Sequence, residues 1–281
     1  MPRHASRPPQ PPGLLVVKVG GSCLEELAPE WWDRLVEHLH TAGGDRPRPK
    51  LVVVHGWSRM VSAETPAGQP DFIVDKHGFR SRYTTPAVLE EIGRVAAGLR
   101  ERIAGLLRER GLRTQAVCGA SSRLLHAEVR QNMWWVGDEL VPLTNLVGPV
   151  REVDEARLDV LLAESDAIVV SPLAVADEHR QVNTDADRAA AAIAGTGGAA
   201  QLALVMDTEA FHAAGEPVRT AVRSELRELA KHAKGGMAKK LRAVEEAFAG
   251  GVRHVAIGSA AVPDLLAGRA GTLITHEPDP E

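Results

Sequence analysis

Short apolar runs alternate along this chain with longer segments in which apolar residues recur at helical spacing. The runs are rich in Val, Ile, Leu and Ala and cover residues 14–19, 51–56, 114–119, 167–174, 202–207 and 254–259. The helical segments cover residues 29–40, 86–110, 154–163, 185–194, 223–250 and 262–266. Continuous apolar strands separated by helices are typical of a parallel sheet that is covered on both faces. The pattern therefore predicts an α/β protein with a mainly parallel central sheet.

Three connecting segments add local detail to this picture. The sequence ADEHRQ at residues 176–181 predicts a hairpin-like turn after the fourth strand. The glycines at residues 195–198 predict the end of a helix, because glycine adopts left-handed backbone without strain. The pair Trp134 and Trp135 predicts a partly buried hairpin, since an indole combines a large apolar ring with a polar N–H.

Length and composition exclude several classes of protein. A chain of 281 residues with 44% hydrophobic residues is long enough for a sizeable core. The net charge of −4 gives no reason to expect a nucleic acid or an anionic membrane as partner. Cys23 and Cys118 are too few for a disulfide scaffold, so we expect two small core residues in a reducing compartment. Residues 1–13, MPRHASRPPQPPG, lack the apolar segment of a signal peptide and predict a disordered leader, and no apolar run is long enough to span a membrane. These features predict a cytoplasmic protein.

Candidate chemistry lies where the predicted strands end, because ligands of open α/β sheets bind at the carboxyl edge. The first strand contains Lys18 and ends in Gly20 and Gly21, and the second ends in His55 and Gly56. A lysine inside a buried strand needs a negative partner. Glycines at strand ends let backbone N–H groups approach a ligand, and a following helix adds positive charge. The pattern indicates a phosphate site, although the G-x-x-x-x-G-K-[ST] and G-x-G-x-x-G motifs are both missing.

Five motifs occur in a fixed order along the chain. They are VKVGGS at 17–22, VHG at 54–56, N-x-x-x-D-x-x-A at 183–190, G-M-x-x-K at 236–240 and G-T at 271–272. Together they resemble the amino acid kinase family, which includes acetylglutamate kinase, from about residue 14 to 275. The segments GFRSRYT at 78–84 and NTDADRAAAAIA at 183–194 are most similar to the kinases that phosphorylate α-aminoadipate on a small acidic amino-group carrier protein.

The resemblance implies a fold, an activity and partners. The fold would be a three-layer αβα sandwich, with an N-terminal lobe at 14–182 for acceptor and carrier and a C-terminal lobe at 183–281 for the nucleotide. The activity would be ATP-dependent phosphorylation of the side-chain carboxylate of a carrier-bound aminoadipate-like or glutamate-like amino acid, in amino acid biosynthesis. A homodimer and Mg²⁺, bound mostly through phosphate oxygens, are expected as well.

The resemblance also implies roles for individual residues. Lys18 would reach the transferred phosphate from the acceptor side and Lys240 from the nucleotide side, with Asp187 holding both lysines. Arg82 would bind the α-carboxylate of the acceptor, and Asn183 its α-nitrogen. The residues expected at the nucleotide are Lys18, Gly20, Gly21, Ser22, Asp207, Gly236, Met237 and Lys240. Those expected at the acceptor are Gly56, Trp57, Ser58, Arg80, Arg82 and Asn183. No protein-held metal site is expected.

Structural alternatives exist for several of these residues. Lys18 could extend from a strand end into solvent. Asn183 or Thr184 could cap the following helix, with Asp187 near its positive end. Lys240 could belong to the solvated face of a basic helix. Arg80 and Arg82 could be ordinary loop charges.

Two departures from the family pattern bear on activity. A bulky residue, Trp57, follows Gly56 where relatives carry a run of glycines. The segment MDTEAF at 206–211 lacks the glycine of a T-D-V-x-G-like turn over the nucleotide. Three hypotheses remain open: a kinase for a carrier-bound amino acid, a kinase of the same fold for a free acylamino acid or another small acceptor, and a non-catalytic relative that binds nucleotide or carrier.

Overall fold

The computed structural model describes residues 13–44, 47–57, 60–61, 71–75, 80–129, 132–136, 138–176, 180–233 and 235–276. The expected leader, apart from Gly13, and the expected acceptor residue Ser58 lie outside this part of the chain.

The described residues form strands and helices in alternation. The strands are β1 Leu14–Val19, β2 Lys50–His55, β3 Phe72–Asp75, β4 Arg80–Arg82, β5 Thr114–Cys118, β6 Leu125–Ala127, β7 Asn132–Val136, β8 Glu139–Leu143, β9 Val150–Val153, β10 Ala167–Ser171, β11 Leu173–Val175, β12 Gln181–Asn183, β13 Gln201–Val205, β14 Phe211–Ala213, β15 Glu216–Val218, β16 Thr220–Val222, β17 His254–Gly258 and β18 Thr272–Thr275. The helices are α1 Pro29–Ala42, α2 Pro86–Glu109, α3 Glu155–Glu164, α4 Ala186–Thr196, α5 Leu226–His232, α6 Gly236–Ala249 and α7 Val262–Leu266.

An eight-stranded sheet runs through the molecule in the order β16-β18-β17-β13-β1-β2-β10-β5. The pairings from β17 across to β5 are all parallel, whereas β18 runs antiparallel to β17. The predicted mainly parallel α/β sheet is therefore confirmed. Strands from before residue 183 make up one half of the sheet and strands from after it the other half, and the halves meet where β1 pairs with β13.

Helices cover both faces of this sheet. Alternate residues of each central strand enter two separate apolar clusters; in β1, Val16 packs with α3, α4 and α6, whereas Leu15 and Val17 pack with α1, α2 and α7. Successive side chains of a strand point to opposite faces, so strands that are apolar at every position need a helical layer on each side. The three-layer sandwich that the family resemblance implied is confirmed.

Smaller sheets lie beside the central one. One has the order β12-β11-β6-β9, a second has the order β4-β3-β7-β8, and β14 pairs with β15. The strands β11 and β12 on either side of the predicted turn pair antiparallel, while residues 177–179 between them lie outside the described residues. Trp134 and Trp135 lie on β7 of the β7–β8 hairpin, with Trp134 buried and Trp135 44% exposed. Both hairpin predictions are confirmed.

Two predicted elements are each interrupted. The apolar run at 167–174 forms β10 and β11 rather than one strand, and Pro172, which has no N–H to donate to a ladder, stands between them. The helical segment at 223–250 forms a 3₁₀ turn at Arg223–Glu225, then α5 and α6. The helix α5 ends at His232, where Ala233 is extended, and Gly235, the N-cap of α6, has a φ of 55°, which glycine adopts without strain. This break sets α6 in a new direction, with Lys240 near its beginning.

No helix among the described residues has both the length and the apolar character needed to cross a lipid bilayer.

Candidate active site

Three charged side chains from three elements meet beside the sheet. The Lys18 Nζ lies 2.7 Å from the Asp187 Oδ1, and the Lys240 Nζ donates to the Asp187 Oδ2 at 2.8 Å. The exposed fractions of the side chains are 8% for Lys18, 8% for Asp187 and 14% for Lys240. One buried carboxylate thus holds two ammonium groups. The solvent-exposed alternatives for Lys18 and Lys240 are wrong.

Local structure explains how these side chains converge. Lys18 shares its face of β1 with Val16, which is the face that α4 and α6 cover. Asp187 lies in the first turn of α4, where Asp185 caps the helix by accepting from the N–H groups of Asp187 and Arg188. Neither Asn183 nor Thr184 is the cap, so that part of the alternative is wrong, whereas Asp187 does lie near the positive end of the helix. The run N-T-D-A-D offered several capping side chains, and only the backbone geometry selects among them.

The charges of the cluster stabilise one another. Burial by itself raises the pKa of Asp187, but the Lys18 and Lys240 ammonium groups outweigh it and hold that pKa well below its usual range. Burial lowers the pKa of Lys240, and the Asp187 carboxylate outweighs it, so the net shift is upward. Asp187 is therefore ionised and Lys240 protonated at neutral pH. The cluster carries a net positive charge.

The glycines at the strand ends pack against each other. A Cβ built on Gly56 would lie 2.9 Å from the Gly21 nitrogen, and one built on Gly20 would lie 3.2 Å from the Val205 carbonyl oxygen. The Gly20 N–H donates to Val205 O and the Gly56 N–H donates to Val19 O, both at 2.9 Å. These two N–H groups are bound within the protein, which corrects the expectation that Gly20 offers its N–H to a phosphate. Among the described residues the N–H of Gly21 has no acceptor.

The other residues expected at the nucleotide lie just after β1 and β13 and at the beginning of α6. Ser22 is half-buried in the turn after β1, and Asp207 is exposed two residues after β13. Gly236 and Met237 are the first two residues of α6, whose N-terminus contributes positive dipole charge. Gly271 and Thr272 have a structural role, because the Thr272 hydroxyl donates to Val218 O at 2.6 Å and accepts from the N–H of Phe211.

The residues expected at the acceptor divide into two groups. Arg82 and Asn183 line the same cavity, and the Asn183 side-chain amide donates to the Thr84 hydroxyl at 3.4 Å. The Thr84 N–H in turn donates to the buried Asn145 Oδ1 at 2.8 Å. Arg80 lies outside this group and is exposed, with its guanidinium 3.9 Å from the centre of the Phe72 ring. The Arg82 guanidinium lies 4.9 Å from the same ring.

Trp57 is part of the core. Its side chain is 7% exposed and belongs to the apolar cluster under α1 and α2, with the indole edge-on to His55 at 6.1 Å between ring centres. It does not line the cavity that Arg82 and Asn183 share. The side chain of Trp57, a residue expected at the acceptor, therefore packs in the core beside the end of β2.

A buried polar network at the end of β2 was not predicted from the sequence. The His55 Nε2 lies 2.9 Å from the Ser171 Oγ, to which the Arg100 guanidinium also donates at 3.0 Å. Burial, together with the positive charge of Arg100, lowers the pKa of His55 to about 4, so the imidazole is neutral. The motif V-H-G at 54–56 was the available signal, but its histidine was interpreted only as part of the family pattern.

The cavity itself measures about 170 Å³ and lies between the β4-β3-β7-β8 sheet and the N-terminal parts of α4 and α6. Its wall includes four cations, from Arg82, Arg188, Lys239 and Arg242. Asp185, which also lines it, is occupied as the helix cap. Lys18, Asp187 and Lys240 are not among the residues that line the cavity, whereas their sequence neighbours Asp185 and Lys239 are.

The described residues contain no group of three or more His, Cys, Asp or Glu side chains placed to hold a metal ion. A magnesium ion that arrives with a nucleotide and is bound mainly through phosphate oxygens requires no such group. The net positive charge of the Lys18–Asp187–Lys240 cluster attracts the phosphates of a nucleotide and repels a free magnesium ion.

The chain is similar to known proteins both in sequence and in fold. Residues 13–259 match the sequence model of the Amino acid kinase family. The chain is 31% identical over 273 residues to a provisionally named LysW-aminoadipate/LysW-glutamate kinase of Aeropyrum pernix, covering 94% of this chain and 98% of that protein. It is 29% identical over 252 residues to the LysW-aminoadipate/LysW-glutamate kinase of Saccharolobus solfataricus, covering 88% and 92% of the two chains.

A solved structure shows the same fold. Carbamate kinase from Giardia lamblia bound to AMP-PNP superposes with a TM-score of 0.63 at 14% identity, covering 95% of this chain and 99% of that one. The sequence match, the shared fold and the buried lysine–aspartate–lysine cluster lead to one assignment: this chain belongs to the amino acid kinase family and is a phosphotransferase.

Proposed function

We propose that this protein is an ATP-dependent kinase that phosphorylates the side-chain carboxylate of an aminoadipate-like or glutamate-like amino acid attached to an acidic amino-group carrier protein. The products would be the acyl phosphate and ADP. The observation that carries the proposal is the buried Lys18–Asp187–Lys240 cluster, which presents two fixed positive charges at the carboxyl edge of the sheet.

The proposed reaction requires positioning and charge rather than a general base. A carboxylate is already a nucleophile, so one of its oxygens forms a bond to the γ-phosphorus of ATP while the bond between that phosphorus and the bridging oxygen of ADP breaks. Lys18 would stabilise the transferred group from the acceptor side and Lys240 from the nucleotide side. Asp187 would hold both ammonium groups in place. The Gly21 N–H would add a backbone donor.

The nucleotide would lie on the C-terminal lobe, residues 183–281, in contact with Ser22, Asp207, Gly236 and Met237. When bound with the nucleotide, Mg²⁺ would neutralise part of the phosphate charge. The positive N-terminus of α6 and the ammonium group of Lys240 both favour a negatively charged ligand.

The acceptor would lie on the N-terminal lobe, residues 14–182. Arg82 would bind its α-carboxylate as a planar, bidentate donor, and Asn183 would hydrogen-bond near its α-nitrogen. The shared cavity of these two residues supports this arrangement. The names of the relatives support a carrier-bound aminoadipate or glutamate as acceptor. The exposed guanidinium of Arg80 would contact the carrier.

We further propose a homodimer in the cytoplasm. The cytoplasmic location is supported by the thiols of Cys23 and Cys118, which are both free in the structure. Sizing of the purified protein by light scattering tests the dimer, and a monomeric mass at micromolar concentration would contradict it.

The test of function compares three acceptors with purified protein, ATP and Mg²⁺: carrier-bound aminoadipate, carrier-bound glutamate and free N-acetylated aminoadipate. We expect phosphoryl transfer, followed as ADP release and acyl-hydroxamate formation, with at least one carrier-bound acceptor. Transfer to the free acceptor only would favour the second hypothesis. Binding of ATP with no transfer to any acceptor would favour the non-catalytic one.

The lysines supply the residue-level test. Lys18→Ala and Lys240→Ala should each lower turnover by about two orders of magnitude or more, the scale for loss of one charge stabiliser. The matched control is Lys231→Ala, which removes an exposed lysine of α5 that pairs with Glu228 and should leave turnover unchanged. Wild-type turnover in either cluster variant would contradict its assigned role.

A further inference from the structure

The geometry of the charged cluster depends on how two helices pack, because Asp187 belongs to α4 and Lys240 to α6. Both residues lie near the N-terminal ends of their helices, where the Lys240 Nζ donates to the Asp187 Oδ2 at 2.8 Å. Further contacts join the same helices beyond this point. The residues that make them have no role so far in the proposed reaction.

A bidentate ion pair joins the helices beside the cluster. The Arg188 Nε and Nη2 donate to the two oxygens of the Glu246 carboxylate at 2.8 and 2.7 Å. Paired hydrogen bonds of this kind fix the relative orientation of two side chains as well as their distance. Arg188 directly follows Asp187 in α4. Glu246 lies six residues after Lys240 in α6, about 9 Å along the helix at the usual rise per residue.

Two glycines meet near the C-terminal ends of the same helices. A Cβ built on Gly250 would lie 2.8 Å from the Gly195 Cα, and one built on Gly195 would lie 3.0 Å from the Gly250 Cα. The backbone angle φ is not positive at either position, so alanine is compatible with the local backbone. The neighbouring helix is what opposes a larger residue there. The missing Cβ atoms therefore let the two helices approach each other closely.

The rest of the contact between α4 and α6 is smooth. The buried faces of the two helices belong to one apolar cluster and are rich in alanine, with Ala190, Ala191 and Ala194 on α4 and Ala243 and Ala247 on α6. Small side chains form low ridges, so their packing opposes sliding of one helix along the other only weakly. The ion pair and the glycine contact are therefore the features that fix the position of α6 along α4.

We propose that Glu246 is a positioning residue for phosphoryl transfer, which fixes α6 against α4 so that the Lys240 ammonium group stays at the Asp187 carboxylate. The contact between Gly195 and Gly250 serves the same purpose at the other end of the helices. This inference rests on the proposed function, because it takes Lys240 to stabilise the transferred phosphate.

The expected effect is on turnover rather than on binding. Neither Glu246 nor Gly250 is among the described residues that line the cavity of Arg82 and Asn183. A misplacement of about 1 Å that originates far from the reacting atoms can lower a rate about 100-fold. A small shift of α6 would therefore lower kcat through Lys240 while the contacts that bind the acceptor remain.

The experiment measures steady-state kinetics of the full-length protein with the acceptor that wild type phosphorylates. Glu246→Gln removes the charge and keeps the shape of the side chain, and Gly250→Ala adds a methyl group against Gly195. Each should lower kcat about tenfold, with KM for ATP unchanged. In a Lys240→Ala background neither should lower kcat further, because the group that they position is absent. A merely structural role would not make the effect on kcat depend on Lys240.

Chemical labelling of Lys240 gives a readout that needs no turnover. The Asp187 carboxylate raises the pKa of Lys240, and acetic anhydride reacts only with the neutral amine, so the paired group is labelled slowly. Both variants should raise the acetylation rate of Lys240 about threefold or more relative to that of exposed Lys231, since a fall of about half a pKa unit triples the neutral fraction. Mass spectrometry of peptides measures both rates.

Two matched controls define the outcomes. Glu245→Gln changes the exposed neighbour of Glu246, and Gly105→Ala adds a Cβ that would meet no described residue outside its own helix within 4 Å; both should keep wild-type kcat and labelling. Wild-type kcat and labelling in both test variants would overturn the proposal, as would an equal fall in kcat in the Lys240→Ala background. If Lys240→Ala itself keeps wild-type turnover, the role proposed for Lys240 has failed and the positioning role fails with it. If wild type phosphorylates no acceptor, the proposed function has failed, and unchanged labelling would then refute the positioning of Lys240 as well.

Discussion

The replacement Asp187→Asn removes the charge that holds the two lysines together and keeps the shape of the side chain. Both Asp187 oxygens are bound, one by Lys18 at 2.7 Å and one by Lys240 at 2.8 Å, and all three side chains are at least 86% buried. The variant would leave two neighbouring buried ammonium groups without a negative partner. Removing one member of a buried ion pair costs about 3–5 kcal/mol. We expect the free energy of unfolding at pH 7 to fall by that amount, which is a large share of the 5–15 kcal/mol typical of a domain.

Urea unfolding followed by circular dichroism measures this change, and steady-state turnover is measured on the same samples. Turnover should fall by about two orders of magnitude, because the lysines lose their fixed positions. Mg-ADP should stabilise the variant at least as strongly as wild type, since its phosphates bring negative charge to the same ammonium groups.

The pH dependence gives an independent readout. The lowered pKa of Asp187 means that its stabilisation is present above about pH 4, the unfolded value, and is lost as pH falls through the folded pKa. The raised pKa of Lys240 means that its stabilisation is present below the unfolded value and is lost as pH rises through the folded pKa. The Asp187→Asn variant should lack the loss of stability at acid pH that protonation of this carboxylate causes in wild type.

The matched control is Asp166→Asn at the start of β10. Its carboxylate is bound by Arg48 and Arg113, and those contacts lower its pKa to about 2 although burial opposes them. This variant should lose some stability and keep wild-type turnover. An Asp187→Asn protein with wild-type stability and turnover would refute the clamping role.

Further variants test two buried side chains at the end of β2, His55 and Trp57. Between pH 6.5 and about 4 the unfolded wild-type chain binds a proton at His55 that the buried imidazole does not, which lowers the free energy of unfolding by about 3 kcal/mol in total as pH falls. The variant His55→Gln should lack this decrease. The same dependence of the free energy of unfolding on pH in wild type and variant, measured by urea titration, would contradict the prediction. Trp57→Gly should lower the free energy of unfolding by about 3–5 kcal/mol with KM for ATP little changed, whereas Trp57→Phe should lower the free energy of unfolding by a smaller amount. Wild-type stability with a new acceptor preference would instead place the indole in the acceptor space.

The sequence by itself was sufficient to predict the central sheet and to identify the residues of the charged cluster. Strands such as β1 and β2 carry consecutive apolar residues, at 14–17 and 51–54, and so present apolar side chains on both faces; a sheet covered on both sides accommodates this pattern, so the layers follow from local chemistry. Lys18, Asp187 and Lys240 were found through motifs that resemble those of the amino acid kinase family. Their convergence on one carboxylate was expected from the family resemblance.

Tertiary structure decided which groups are already occupied and which remain available. The Gly20 N–H donates to the Val205 carbonyl oxygen across the sheet, 185 residues away, and Trp57 turns into the core although the preceding residue, Gly56, lies against Gly21. The cavity joins Trp134 of β7 to Lys239 of α6, which no spacing along the chain relates. Motifs report local backbone and residue type, whereas burial and hydrogen-bond partners depend on elements distant in sequence that packing brings together.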